Sequence, residues 1–234
     1  MSGISERTKR VYYACVPAKI RDSLGVTWLK SKILGANWRH NAVYTASYYA
    51  DEVEGAAVRS SATIADSIVS EYGAKRVVDV GCGTGALLEM LRSRGCEVLG
   101  FDYSDAAISY CNARGLNVTK FDLETNTYDF SQAFDVAISL EVAEHLPESV
   151  ADRYVNFLCR LAPIVVFTAA PPGQGGADHV NEQPASYWIE KFGGVGYGHL
   201  EQVSQKWRDK WQMSGTVESW YWKNLMIFGR VSGL

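Results

Sequence analysis

The segment RVVDVGCGTGALLEML, residues 76–91, decides the fold. An apolar run broken only by Asp79 meets Gly81, Gly83 and Gly85, and a helical apolar period resumes at Ala86. The pattern predicts a buried strand, a bare turn and the start of a helix. Glycines accept positive φ and carry no side chain, so backbone amides can come close to a ligand beside a helix N-terminus, which favours negative groups.

The same alternation continues downstream. EVLGFD (97–102), NVTKFD (117–122), AFDVAISLE (133–141) and PIVVFTAA (163–170) read as strands. Between them, ALLEMLRSRG ends at Gly95, SDAAISYCNARG opens at Ser104, and PESVADRYVNFLCRLA (147–162) carries Pro147 in its first turn, so each reads as a helix. Strands separated by helical crossovers imply a doubly wound α/β fold, mostly parallel, with ligands beyond the carboxyl ends of the strands. After Ala170 come a Gly/Pro-rich loop, a helix near 184–193, a polar helical stretch near 200–213 and a terminal strand over 219–231. Residues 1–70 are expected to form an N-terminal helical cap on the same domain, with 71–234 as its ligand-binding part.

At 234 residues, 47% hydrophobic and 21% charged, the chain has the composition of one soluble globular domain. It has no apolar run of the roughly 20 residues that a membrane helix needs, and no signal-like stretch opens it. Five scattered cysteines without a CxxC pair suit neither a disulfide framework nor a thiolate zinc site. The expected location is the cytoplasm. The net charge of −3 conceals a basic start, with eight Lys/Arg against Glu6 and Asp22 in residues 1–40. Solvated helix faces explain that segment as well as contact with an anionic surface does.

The glycine spacing bears on the ligand. A dinucleotide fingerprint, GxGxxG, would place its third glycine at Ala86, where alanine is tolerated, so a nicotinamide cofactor stays open on spacing. Asp79 weighs against it. A carboxylate aimed at the loop repels a pyrophosphate and suits a ligand bearing an ammonium group.

VVDVGCGTG resembles the first motif of class I S-adenosylmethionine-dependent methyltransferases, and the likeness continues in order over about residues 70 to 170. It implies a Rossmann-like sheet of seven strands. It further implies that Asp79, Gly81, Cys82, Gly83 and Gly85 line the cofactor and that Asp102, followed by Tyr103, accepts from both ribose hydroxyls. Asp122 and Leu123 would meet the adenine, and Leu140 and Glu141 would end beside the methionine moiety. The cofactor would be S-adenosylmethionine and its product S-adenosylhomocysteine.

Methyl transfer from a sulfonium needs positioned reactants and a base for the acceptor's proton. Glu141, Glu144 and His145 stand at i, i+3 and i+4, on one face if the segment is helical, and His179 follows the fifth strand. Such a cluster suits a divalent cation or a general base held by acids. The E-x-x-E-H pattern with a later histidine is similar to that of metal-dependent small-RNA 2′-O-methyltransferases and ubiquinone-biosynthesis O-methyltransferases. The resemblance implies that Glu141, Glu144, His145 and His179 hold one ion such as Mg²⁺. Without a metal, His145 or His179 serves as base, assisted by Glu141; a purely structural role is open for each.

Residues 168–192 depart from both families and mark the expected acceptor loop. The segment resembles methyltransferases of polysaccharide-biosynthesis clusters. Tyr187, Trp188, Trp207, Trp211, Trp220, Tyr221 and Trp222 would pack the core or face a flat acceptor, and Tyr44, Tyr48 and Tyr49 would pack a helix or close over the cofactor. The expected function is O-methylation of a small molecule or glycan. RNA 2′-O-methylation and nicotinamide-dependent oxidoreduction are the alternatives, and overall acidity counts against nucleic acid.

Overall fold

The computed structural model describes residues 43–126 and 134–231, and every element below lies in the compact unit Ala46–Leu234. Seven strands form one sheet: β1 (Arg76–Val80), β2 (Glu97–Asp102), β3 (Val118–Lys120), β4 (Val136–Leu140), β5 (Ile164–Thr168), β6 (Tyr197–His199) and β7 (Met226–Arg230). Their order is β3-β2-β1-β4-β5-β7-β6, with β1 to β5 parallel and β7 antiparallel to both neighbours. Strands covered on both faces need apolar residues on both, which is why β1, β4 and β5 read as runs rather than alternations. Val78, Val80 and Phe167 point into one core layer, and Val77, Ile138 and Val166 into the other.

A helical turn at Ala46–Tyr48 and a π-helical turn at Tyr49–Val53 lead into α1 (Glu54–Tyr72). The remaining helices are α2 (Ala86–Ser93), α3 (Asp105–Ala113), α4 (Ala151–Leu161), α5 (Ala185–Gly193), α6 (Glu201–Ser214) and α7 (Ser219–Asn224). Local chemistry sets their ends. The Ser104 hydroxyl accepts the Ala107 amide to cap α3, and Gly73, at φ 57°, closes α1 in the left-handed region. α1, α2 and α6 cover one sheet face and α4 and α5 the other. On the first face Trp211 is fully buried, and its indole donates to the Ser67 hydroxyl of α1 at 3.0 Å.

The sheet follows the sequence expectation with local corrections. The expected strand over 219–231 is half helix, because α7 takes Ser219–Asn224 before β7 begins. β6, three residues long, has no apolar signature and was not expected. The expected helix over 147–162 opens with a 3₁₀ turn at Glu148–Val150. Residues 1–40, with the basic segment, and Ala133 lie outside the described residues. Among the described residues no helix is long and apolar enough to cross a membrane.

Candidate active site

β1 is flanked by β2 on one side and β4 on the other, so the connections diverge there and leave a crevice beyond its carboxyl end. The loop after β1 fills the base of that crevice. Gly81, Gly83 and Gly85 all have positive φ, at 79°, 53° and 77°. Their missing side chains nonetheless do three different things. A Cβ on Gly81 would lie 2.4 Å from a Val142 methyl, and one on Gly85 would lie 2.8 Å from the Cys111 sulfur. Only Gly83 faces space, with Tyr49 and Val53 across it at 3.8 Å.

The amides of this loop correct the expectation that they face a ligand. Gly81 and Cys82 both donate to the Phe101 carbonyl, Gly83 donates to Asp102 Oδ2 at 2.9 Å, and Gly85 donates to the Cys82 carbonyl. With these four donors engaged inside the protein, the loop has fewer to offer phosphate oxygens. The Cys82 side chain is buried too, 4.0 Å from the Cys111 sulfur, so only its backbone borders the crevice.

Asp79 is 5% exposed, and its carboxyl lies beside that of Asp102. Burial, and then the neighbouring Asp102 carboxylate, push its pKa up to about 7. An ionised carboxylate in that position lacks a cation. Asp102, at the end of β2, is held in place by the Gly83 amide and by the Ser104 amide on Oδ1 at 2.8 Å. Tyr103 follows it, half-buried, with the Lys120 ammonium 5.8 Å from its ring centre. After β3, Asp122 accepts from the Glu124 amide and the Thr125 hydroxyl, which folds the turn carrying Leu123. Leu140 packs against the core on the α1 and α6 side.

The second half of the crevice is built by the segment after β4. Glu141 has φ 54°, unusual for a residue with a side chain, and its amide donates to the Thr168 hydroxyl of β5 at 2.9 Å. The next turn, Ala143–His145, is 3₁₀ rather than α, so the expected single helical face does not form. Glu144 instead points inward and is fully buried, and among the described residues neither carboxylate oxygen has a hydrogen-bond partner. Burial, and then Glu141, raise its pKa well above the usual carboxylate range.

The structure brings three of the four expected ligands together. One donor atom each from Glu144, His145 and His179 lies within 4.8 Å of the others, and the two imidazoles meet edge to face with centres 4.9 Å apart. The Val180 and Asn181 amides, bonded to the Glu144 carbonyl, hold His179's loop against the 3₁₀ turn. Glu141 stands outside that group. Its carboxylate accepts from Asn224 Nδ2 at 3.1 Å and Gln174 Nε2 at 2.9 Å, and Asn224 also donates to Gln174 at 2.9 Å.

Of the expected aromatic residues, Trp188, Trp207 and Trp211 belong to the core, Tyr221 and Trp222 pack against it, and Trp220 is 38% exposed. Tyr49 is buried over the Gly83 turn. Gln174, Glu182 and Asn224 were not anticipated. Glu182, three residues after His179, was the one with a local signal.

A family model described as "Methionine biosynthesis protein MetW" matches residues 61–167. A ubiquinone biosynthesis O-methyltransferase of Alkalilimnicola ehrlichii is 30% identical over 144 residues, 59% of this chain and 53% of that protein. One of Hahella chejuensis is 27% identical over 148 residues, 59% of this chain and 56% of that protein. The chain thus spans about half the length of the curated relatives it matches. Among solved structures, a DhpI complex with S-adenosylhomocysteine superposes with a TM-score of 0.56 at 18% identity, covering 70% of this chain and 89% of that one. A TehB-like methyltransferase from Corynebacterium glutamicum superposes with a TM-score of 0.55 at 18% identity, covering 80% and 98%. Strand order and these superpositions show that the chain shares the Rossmann-like fold of those two structures, and the family model and the curated relatives are similar to it over the part that carries the glycine loop and the strand-end aspartates.

Proposed function

We propose that this protein transfers the methyl group of S-adenosylmethionine to a hydroxyl of a small molecule or glycan, with residues 71–234 holding the cofactor. The meeting of Glu144, His145 and His179 carries this reading, since it puts two imidazoles and a buried carboxyl where the segment after β4 borders the glycine loop.

On this reading the cofactor's ammonium supplies the cation that Asp79 lacks, Asp102 receives the ribose hydroxyls, and Asp122 with Leu123 borders the adenine. The bare face of Gly83 lets the cofactor lie close, under Tyr49. Internally engaged amides disfavour a dinucleotide's pyrophosphate. His179 or His145 then takes the acceptor's proton as the oxygen attacks the methyl carbon and the sulfonium leaves as a neutral thioether.

The cluster also fits a divalent cation, because the Glu144 carboxylate and one nitrogen of each imidazole lie within 4.8 Å of one another. Glu144, His145 and His179 would hold it, and two nitrogens beside one carboxylate suit Mn²⁺ better than Mg²⁺. Bound there, a cation would favour the acceptor's alkoxide form.

Melting the full chain with S-adenosylhomocysteine and separately with NAD(H) tests the cofactor, because a ligand of the folded state raises the melting temperature. Protection by NAD(H) alone overturns the proposal. A screen of labelled methyl transfer to sugar nucleotides, glycans and catechols identifies the acceptor. His145→Ala and His179→Ala should then keep cofactor binding, and at least one should lose about 100-fold or more of turnover. A rise in melting temperature with MnCl₂ that Glu144→Gln abolishes would support the cation. Steeply salt-dependent binding to short RNAs would redirect the acceptor to RNA.

A further inference from the structure

We infer that Glu182 is the positioning residue of this site: it fixes His179 with its proton on Nδ1, makes Nε2 the working nitrogen, and folds the 173–176 loop over the imidazole. The inference rests on the proposed role of His179 and deepens it.

Glu182 Oε1 lies 2.8 Å from His179 Nδ1. The same oxygen accepts the Gly175 amide at 2.7 Å, and Oε2 accepts the Gly173 amide at 2.7 Å. Each carboxylate oxygen thus already accepts a backbone amide. A carboxylate engaged in that way is acceptor-only, so the nitrogen facing it must carry the hydrogen. The neutral ring then has its basic lone pair on Nε2.

The loop is shaped to this arrangement. Gly173 and Gly175 have φ of 87° and 70°, which lets both amides turn inward onto one carboxylate. At Gly176 a Cβ would lie 2.3 Å from His179 Nε2, so the absence of a side chain leaves room for the ring. Three donors on one carboxylate thus couple ring orientation to loop closure, the way carboxylate partners orient histidines elsewhere.

The test is nitrogen NMR of the full chain labelled on its four histidines, with His179→Ala assigning the signal. Wild-type His179, when neutral, should show a protonated Nδ1 and an unprotonated Nε2. Glu182→Ala should mix the two tautomers, speed amide exchange at Gly173 and Gly175, and cut methyl transfer to the screened acceptor about 10- to 100-fold. Glu182→Gln should keep the tautomer, because its one carbonyl oxygen can still accept from His179, but free the Gly173 amide. S-adenosylhomocysteine affinity should change little in either variant, which reports a folded cofactor site. An unprotonated Nδ1 in the wild type, or a Glu182→Ala variant with unchanged tautomer and exchange, overturns the inference. Unchanged turnover in His179→Ala instead defeats the proposed role of His179 and leaves the tautomer result standing.

Discussion

Replacing Asp79 by asparagine should stabilise the ligand-free protein at neutral and higher pH while weakening the cofactor. The carboxyl titrates near 7 in the fold, against 3.8 for an unperturbed aspartate. A pKa raised on folding favours the folded state fully below about pH 4, and that contribution is lost as pH climbs through 7. The gap of about 3 units is worth about 4 kcal/mol at pH 8, and the part already lost by pH 5 is about 1.5 kcal/mol. The variant's advantage over the wild type should therefore grow by about 2 to 3 kcal/mol between pH 5 and pH 8. Desolvation of the asparagine amide is the same at every pH and drops out of that difference. For a domain of this size the change is about 5 to 10 °C in melting temperature, read by circular dichroism across the pH series. Calorimetry adds an independent readout, because pairing Asp79 with the ammonium of S-adenosylhomocysteine expels a proton below pH 7. That release should be absent in the variant. Melting curves that stay parallel from pH 5 to 8 would refute the argument.

Gly81→Ala would drive a methyl to 2.4 Å from Val142 at a φ of 79°, and should cost about 1 to 3 kcal/mol in urea unfolding. The double variant with Val142→Ala should recover part of that loss. Ser67→Ala leaves the buried Trp211 indole without its acceptor and should destabilise by about 1 to 3 kcal/mol. A measured cost under a few tenths would show that the hydrogen bond is not needed. Asn224→Ala cuts two bonds, one to Glu141 and one to Gln174, so protease cleavage within 171–177 should speed several-fold with little change in melting temperature.

The glycine-loop half of the crevice was legible in the sequence because its signals are local. The apolar run of β1, the glycines and the aspartates at the ends of β1 and β2 each announce themselves within a few residues. The half built after β4 was less legible. The spacing of Glu141, Glu144 and His145 suggested one helical face, but the chain leaves β4 through a left-handed residue into a 3₁₀ turn, which sends Glu144 into the core and Glu141 away from it. The partners of Glu141 are 33 and 83 residues distant, and no local pattern names them. SWYWKN has the aromatic content of a strand, yet Ser219–Asn224 coils as α7 after Glu218, whose carbonyl accepts the Tyr221 and Trp222 amides.

The bracket joining Glu141, Gln174 and Asn224 also dictates an order of assembly during synthesis. The glycine-loop side of the crevice has its parts once Leu140 has been added, because β1, β2, β3 and β4 end at or before that residue. Its other wall must wait for Asn224, 83 residues beyond Glu141. A nascent chain would accordingly complete one side of the crevice well before the other.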